Sequence, residues 1–172
     1  MHHPEADTAR QAGSMLLGCF RGFVLLSLSL AAAFKLLTVL WVSQSSTSML
    51  ASPEPVLAFL FAVPVPVGAV MLLEALAEVL VVVLLLRSDV ATQMALTAWV
   101  STLFLAYHLL LAEIGYRGPC PCFGGLYQYL GLSVQSLNAM TLCVVLVMGV
   151  GSYGWLMVDW LKQRSSLPRQ RT

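Results

Sequence analysis

The sequence predicts an all-α integral membrane protein folded as a four-transmembrane-helix bundle, and its composition and hydropathy pattern are the observations that predict it. Of the 172 residues, 59% are apolar and only 10% are charged, and the mean hydropathy is +0.84. Soluble domains carry about 25% charged residues, so this chain has too little polar surface for a water-soluble enzyme. Four stretches are each about 20 mostly apolar residues long, the length that crosses a bilayer as a helix. No stretch alternates as membrane barrel strands do.

The predicted membrane domain covers residues 19–158, preceded by an N-terminal segment and followed by a basic tail. Its four spans lie at about residues 19–42, 67–86, 91–114 and 137–158, with residues 1–18 before them and residues 159–172 after them. The net charge is +1, without a long basic run inside the fold, so there is no electrostatic footprint for nucleic acid. The lipid bilayer is the expected surrounding of this domain.

The first span and the loop after it contain two local signals. The apolar run continues past Lys35 to Val42, which is longer than the apolar core of a signal peptide, so we expect this span to remain uncleaved. In the loop, Ser52 precedes Pro53 and Glu54, an arrangement typical of a helix start with a capping serine and proline in the first turn. The apolar residues after it are too few to span, so we expect a short helix at the membrane interface.

Lysines and arginines in the connections predict the orientation of the bundle. Seven of them lie on the side of the termini and the second connection: Arg10, Arg21, Arg87, Lys162, Arg164, Arg169 and Arg171. Only Arg117 lies in the two longer loops of the other side. This asymmetry predicts a multi-pass protein of the cell inner (plasma) membrane, with both termini in the cytoplasm and both longer loops outside.

The third loop carries a cysteine motif, GPCPCFGG at residues 118–125. Cys120 and Cys122 are separated by Pro121, and we expect them on the oxidising side of the membrane, where thiols pair or exchange. Three chemistries suit this spacing: disulfide exchange with other proteins, a structural disulfide, or two soft ligands for a metal. A disulfide across one residue closes a small, strained ring that is easily reduced, which favours exchange.

A metal site at the cysteine motif and a functional role for the other two cysteines are less favoured by the sequence. Neither outer loop contains a further cysteine or any histidine, which argues against a metal site. Cys19 falls at the inner end of the first span and Cys143 inside the fourth, so we interpret both as small buried hydrophobic residues.

Four ionisable residues fall inside the spans, where each is costly and indicates function or a partner. Lys35, Glu74 and His108 lie on three different spans, each roughly 9 to 11 Å from the outer end at about 1.5 Å per residue. We expect Lys35 to pair with Glu74, and Glu78, four residues further on, to turn into the bundle. One interpretation is a packing contact; the other is a proton relay or polar pocket beneath the cysteine loop.

These residues resemble the MauE family, the membrane proteins of methylamine utilisation, which are related to the DoxX-type redox-associated membrane proteins. The resemblance covers about residues 18–158 and rests on Phe34-Lys35-Leu36, Leu73-Glu74 and Cys120-Pro121-Cys122-Phe123-Gly124. It implies four spans and a role in maturation of the small subunit of methylamine dehydrogenase, a periplasmic protein rich in disulfides.

The sequence thus leaves three hypotheses for function. In the first, Cys120 and Cys122 exchange disulfides with an extracytoplasmic client or a thioredoxin-like partner, and a membrane quinone is the candidate electron acceptor. In the second, several copies form a small transporter or channel lined by the ionisable residues of the spans, Lys35, Glu74, Glu78 and His108. In the third, the chain is a structural subunit of a membrane complex.

Overall fold

The computed structural model describes residues 4–45, 53–62, 65–118, 131 and 133–166. Within these ranges the chain forms five helices: α1 Pro4–Ser45, α2 Pro55–Phe61, α3 Val67–Arg87, α4 Val90–Glu113 and α5 Val134–Ser166. The four longer helices are long and apolar enough to cross a membrane, and the described residues form no strand. The predicted all-α fold with four membrane-spanning helices is therefore confirmed.

Two helices extend well beyond the predicted spans. α1 begins at Pro4, so most of the predicted N-terminal segment continues the first span as helix. α5 continues past Val158 to Ser166 and so includes the first part of the basic tail. A helix satisfies its backbone hydrogen bonds internally, so it need not end where the apolar residues end. Pro4 suits the first position because its missing N–H is not used there.

The connection between α3 and α4 is a tight turn fixed by polar side chains. Asp89 caps α4: its carboxylate accepts hydrogen bonds from the Thr92 hydroxyl at 2.6 Å and from the amide of Ala91 at 3.1 Å. These bonds stabilise the charged form and lower the pKa of Asp89. The buried amide of Gln93 donates to the carbonyl oxygens of Leu85 and Ser88, at 2.5 and 2.8 Å. The two helices are therefore tied together at this end.

The long helices pack as two pairs, α1 along α3 and α4 along α5, and the pairs meet along a narrower seam. Apolar residues from three helices form the main core cluster: Val24, Leu28, Leu85 and Met148. Gly151 of α5 lies against the ring of Phe20 of α1, so a side chain there would meet that ring. Small residues let membrane helices approach closely, and Gly151 does this where the pairs meet.

The short helix α2 defines one end of the bundle, which we call the α2 end. Val56 of α2 packs with Leu111 of α4 in a second apolar cluster, which attaches α2 to the membrane helices. α4 ends and α5 begins at this same end, where Tyr116 and Asn138 line one cavity. The Ser88–Asp89 turn, the first part of α1 and the last part of α5 lie at the opposite end.

Candidate functional site

A buried lysine lies in the interior of the bundle. Lys35 of α1 has no exposed surface, although lysines usually keep their ammonium group in water. Its Nζ donates a hydrogen bond to Oε1 of Glu78 at 2.5 Å and lies 3.1 Å from Oε2 of Glu74. The two glutamates are four residues apart on α3, so helical geometry places both on the face that α1 packs against. We call these three residues the charge cluster.

The charge cluster also contacts the second helix pair. Nζ of Lys35 lies 5.5 Å from the centre of the Phe104 ring on α4, within the range of a cation–π interaction. The ammonium group therefore faces two carboxylates on α3 and an aromatic face on α4. Three of the four membrane-spanning helices meet at this one group, at the seam between the pairs.

The charges in this cluster do not balance. With both carboxyl groups ionised, one ammonium faces two carboxylates, which leaves one negative charge in excess. Oε2 of Glu74 and Oε2 of Glu78 are both buried and accept no hydrogen bond. The Glu74 oxygen still faces the ammonium at 3.1 Å, as an ion pair without hydrogen-bond geometry. A buried acceptor without a hydrogen bond costs about 1–3 kcal/mol, so a donor that bonded to either oxygen would stabilise the cluster.

Two clefts adjoin the charge cluster. The α3–α4 cleft has a volume of about 350 Å³, and the α1–α5 cleft has a volume of about 230 Å³. Leu28, Glu78 and Phe104 line both clefts, so the Glu78 carboxylate lies between them. The walls of both are mainly apolar, which suits a hydrophobic molecule better than a hydrated ion.

His108 lies apart from the charge cluster, although it belongs to the same predicted set. It lines a third cavity, of about 320 Å³, together with Tyr116 and Asn138 between α4 and α5. Tyr107 lines the α3–α4 cleft, and His108 is rotated about 100° from it around the helix axis. Similar depth therefore does not put His108 beside Lys35, and the structure brings together only three of the four predicted residues.

A second buried acid, Glu54, was not among the predicted site residues. Only 1% of it is exposed, and its carboxylate accepts a 2.7 Å hydrogen bond from the hydroxyl of Tyr107 and a 2.5 Å bond from the amide of Leu57. The first bond joins α2 to α4, and the second caps α2. The signal in the sequence is an acid between two prolines, Pro53 and Pro55, just before a short apolar run.

The start of α2 differs from the prediction. The expected cap at Ser52 lies outside the described residues, but the expected helical positions Pro53 and Glu54 precede the helix, which begins at Pro55. Pro53 instead pairs with Pro66 in a single bridge beside the hydrogen bond from the amide of Glu54 to the carbonyl of Val65. Glu54 is the cap because its longer side chain reaches both the helix amide and Tyr107.

The cysteines divide into two groups. Cys120 and Cys122, the predicted reactive pair, lie outside the described residues. Cys19 and Cys143 are exposed on the helix surfaces, so the expectation that both are buried in the core is wrong. A thiol is apolar enough to face hydrocarbon, which explains why an outward position is tolerated. Within the described ranges, no three histidine, cysteine or acidic residues are grouped closely enough to hold a metal ion.

Comparisons of the chain with protein-family models, with curated proteins and with solved structures found no match. The chemistry of the site therefore rests on the residues of this chain and their geometry.

Proposed function

We propose that this chain is a membrane redox factor of the MauE type, which assists disulfide formation or maturation of an extracytoplasmic client through Cys120 and Cys122. The observation that supports the proposal best is the contact between Lys35 and Glu74, whose charged atoms lie 3.1 Å apart. Both belong to the motifs on which the resemblance rests. The small subunit of methylamine dehydrogenase is the client that the resemblance implies.

In the sequence, the cysteine pair lies between α4, which ends at the α2 end of the bundle, and α5. In the proposed orientation this end faces the outside and both termini are cytoplasmic, in keeping with the lysine and arginine count. Thiols on that side are exposed to an oxidising compartment, where disulfide exchange can proceed. Near this end of α4, Leu111 packs against Val56 of α2.

The exchange reaction balances as a two-electron transfer. A thiolate of the client attacks the disulfide between Cys120 and Cys122, forming a mixed disulfide and releasing one loop cysteine as a thiolate. The second client thiolate then displaces the other loop cysteine, which leaves the client oxidised and the loop as a dithiol. A membrane quinone or the disulfide of a thioredoxin-like partner accepts the two electrons and two protons when the loop is oxidised again.

The charge cluster supports this function by positioning. Lys35 joins α1 to α3 by ion pairs and faces α4 through Phe104, so it holds these three helices in fixed relation to one another. The clefts beside it have mainly apolar walls, which favours the redox hypothesis over a transporter or channel for hydrated ions.

Trapping of mixed disulfides tests the proposal. In cells that express the client, the Cys122→Ser or the Cys120→Ser variant should accumulate a mixed disulfide with it, because the remaining thiolate attacks a disulfide of the client, displaces one client thiolate and has no neighbouring thiol to release it. Cys143→Ser and Cys19→Ser are matched controls, since these exposed cysteines lie on the helices. Normal client maturation by the variant that lacks both loop cysteines would contradict the proposal.

A further inference from the structure

The α3–α4 cleft combines apolar walls with a small polar region. Its volume of about 350 Å³ lies in the range of about 300–1,000 Å³ that is common for small-molecule sites. Val81, Val100 and Leu103 are among the apolar residues of the wall, and Phe104 adds an aromatic ring. The polar groups come from three side chains only: Glu74, Glu78 and Tyr107.

Among the described side chains that line the cleft, only the hydroxyl of Tyr107 is a donor when both glutamates are ionised, and it already has a partner. The hydroxyl of Tyr107 donates to Oε1 of Glu54 at 2.7 Å. The ammonium of Lys35 does not line the cleft and faces Glu78, Glu74 and the Phe104 ring instead. By contrast, Glu78 lines the cleft, and one oxygen of its carboxylate, Oε2, accepts no hydrogen bond. The cleft therefore offers a molecule an acceptor without a matching free donor, so it selects a ligand that donates a hydrogen bond.

We propose that the α3–α4 cleft binds a hydrophobic molecule that donates a hydroxyl hydrogen bond to Glu78, and that this molecule is a hydroquinone. Glu78 lies 11 residues into α3, roughly 16 Å along the helix axis, near the middle of a bilayer core about 30 Å thick. A charged head group is costly at that depth, whereas a neutral ring with hydroxyl groups is tolerated. The oxidised quinone offers only acceptors and would face the carboxylate oxygen without a hydrogen bond.

The choice of a hydroquinone among hydroxyl-bearing molecules rests on the proposed function. Oxidation of the loop dithiol needs an acceptor of two electrons and two protons, and a quinone that takes them up becomes a hydroquinone. The preference for a hydrogen-bond donor is independent of this choice. It depends only on the Glu78 carboxylate and on the Tyr107 hydroxyl, which already donates to Glu54.

Equilibrium binding to the full chain in lipid nanodiscs tests the proposal. The probe is tritiated decylubiquinol kept reduced, with decylubiquinone and dodecanol as competitors and empty nanodiscs as the background. We expect decylubiquinol to compete at least ten-fold more strongly than either. Glu78→Gln places an N–H donor in the cleft and should remove the preference for the reduced ring. Glu113→Gln is the matched control, because that carboxyl is exposed at the end of α4, outside the cleft, and binding should be unchanged.

Ala77→Phe locates the site independently of the charges. Ala77 is exposed in the wall of the cleft, so a ring there fills the space and leaves the charge cluster in place. Binding should fall at least ten-fold, and this variant keeps the test decisive if Glu78→Gln does not fold. Unchanged binding to Ala77→Phe would overturn the location, equal competition by decylubiquinone would overturn the role of Glu78, and equal competition by dodecanol would overturn the hydroquinone.

The two proposals fail separately. The variant with both loop cysteines replaced by serine should bind decylubiquinol like the unaltered chain, because the cleft lies within the helices. Binding without any trapped mixed disulfide would leave the cleft standing and refute the redox function. Trapped mixed disulfides without binding would refute the cleft alone.

Discussion

Lys35 and Glu78, which are 43 positions apart in the sequence, form a 2.5 Å hydrogen-bonded ion pair inside the bundle. Glu74, the partner expected from depth along the spans, is also close to Lys35, but 31% of its side chain is exposed, against 6% for Glu78. A pair with less exposure is less screened, and a hydrogen bond adds to its attraction. Glu78 is therefore the stronger partner of the lysine.

A double-mutant cycle checks this ranking. Lys35→Met leaves the buried Glu78 and the partly exposed Glu74 without their cation, and we expect a loss of about 3–5 kcal/mol in the free energy of unfolding, measured by detergent titration. Adding Glu78→Gln to that variant should recover more stability than adding Glu74→Gln. Strict additivity of Lys35→Met and Glu78→Gln would show that the pair is not coupled.

Tyr107→Phe tests the connection between α2 and α4. The variant removes the only hydrogen bond drawn to Oε1 of Glu54 among the described contacts, and leaves that buried oxygen unpaired. We expect α2 to lose about 1–3 kcal/mol of local stability, seen as faster hydrogen exchange at the amide of Leu57. Tyr153→Phe is the control, since the hydroxyl of Tyr153 bonds Thr102 at an exposed site. Equal exchange in both variants would argue against the connection.

Gly151→Ala and Gly154→Ala separate close packing from helix propensity. The new methyl group at position 151 meets the ring of Phe20, whereas nothing lies within 4 Å of one at position 154. We expect Gly151→Ala to destabilise the bundle by about 1–3 kcal/mol and Gly154→Ala to be neutral or stabilising by up to about 1 kcal/mol. Thermal unfolding in the same detergent compares them. A stabilising Gly151→Ala would mean that α1 does not press on α5 there.

The proposed orientation is open to chemical labelling. A membrane-impermeant maleimide added to intact, mildly reduced cells should label Cys120 and Cys122, because the charge asymmetry predicts that this connection is outside. Replacing Cys19 and Cys143 by serine removes the background from the helices. Labelling that occurs only after the inner face is opened would reverse the orientation and remove the oxidising environment that the proposed function needs.

The membrane-spanning helices could be predicted from the sequence because hydropathy over about 20 residues is a local property. The full extent of α1 could not be predicted in this way, because the helix also covers polar sequence from Pro4 onwards and hydropathy marks only its apolar part. Likewise, residue type favours Ser52 over Glu54 as the cap of α2. The choice between them depends on Tyr107, which is distant in sequence.

The candidate site shows the same limit. Counting residues from the span ends gives depth, and depth correctly suggested that Lys35 and Glu74 could meet. It does not give the direction in which a side chain points around its helix, so His108 was grouped with residues that it does not face. The cation–π contact with Phe104 depends on how the two helix pairs sit together, which no local pattern encodes.

The short Ser88–Asp89 turn joins α3 and α4 at one end, so the α3–α4 cleft widens by rotation of the two helices about that turn. Gln93 of α4 hydrogen-bonds to the end of α3 beside the turn, so the two helices pivot there when the cleft widens. Tyr107 lies 17 residues along α4 from Val90, a lever arm of roughly 26 Å. With this rise per residue, a rotation of about 7° about the pivot would separate α3 and α4 by about 3 Å at the level of Tyr107. The hydrogen bond from Tyr107 to Glu54 lies far from this pivot along α4. At that distance a single hydrogen bond resists opening of the cleft most effectively.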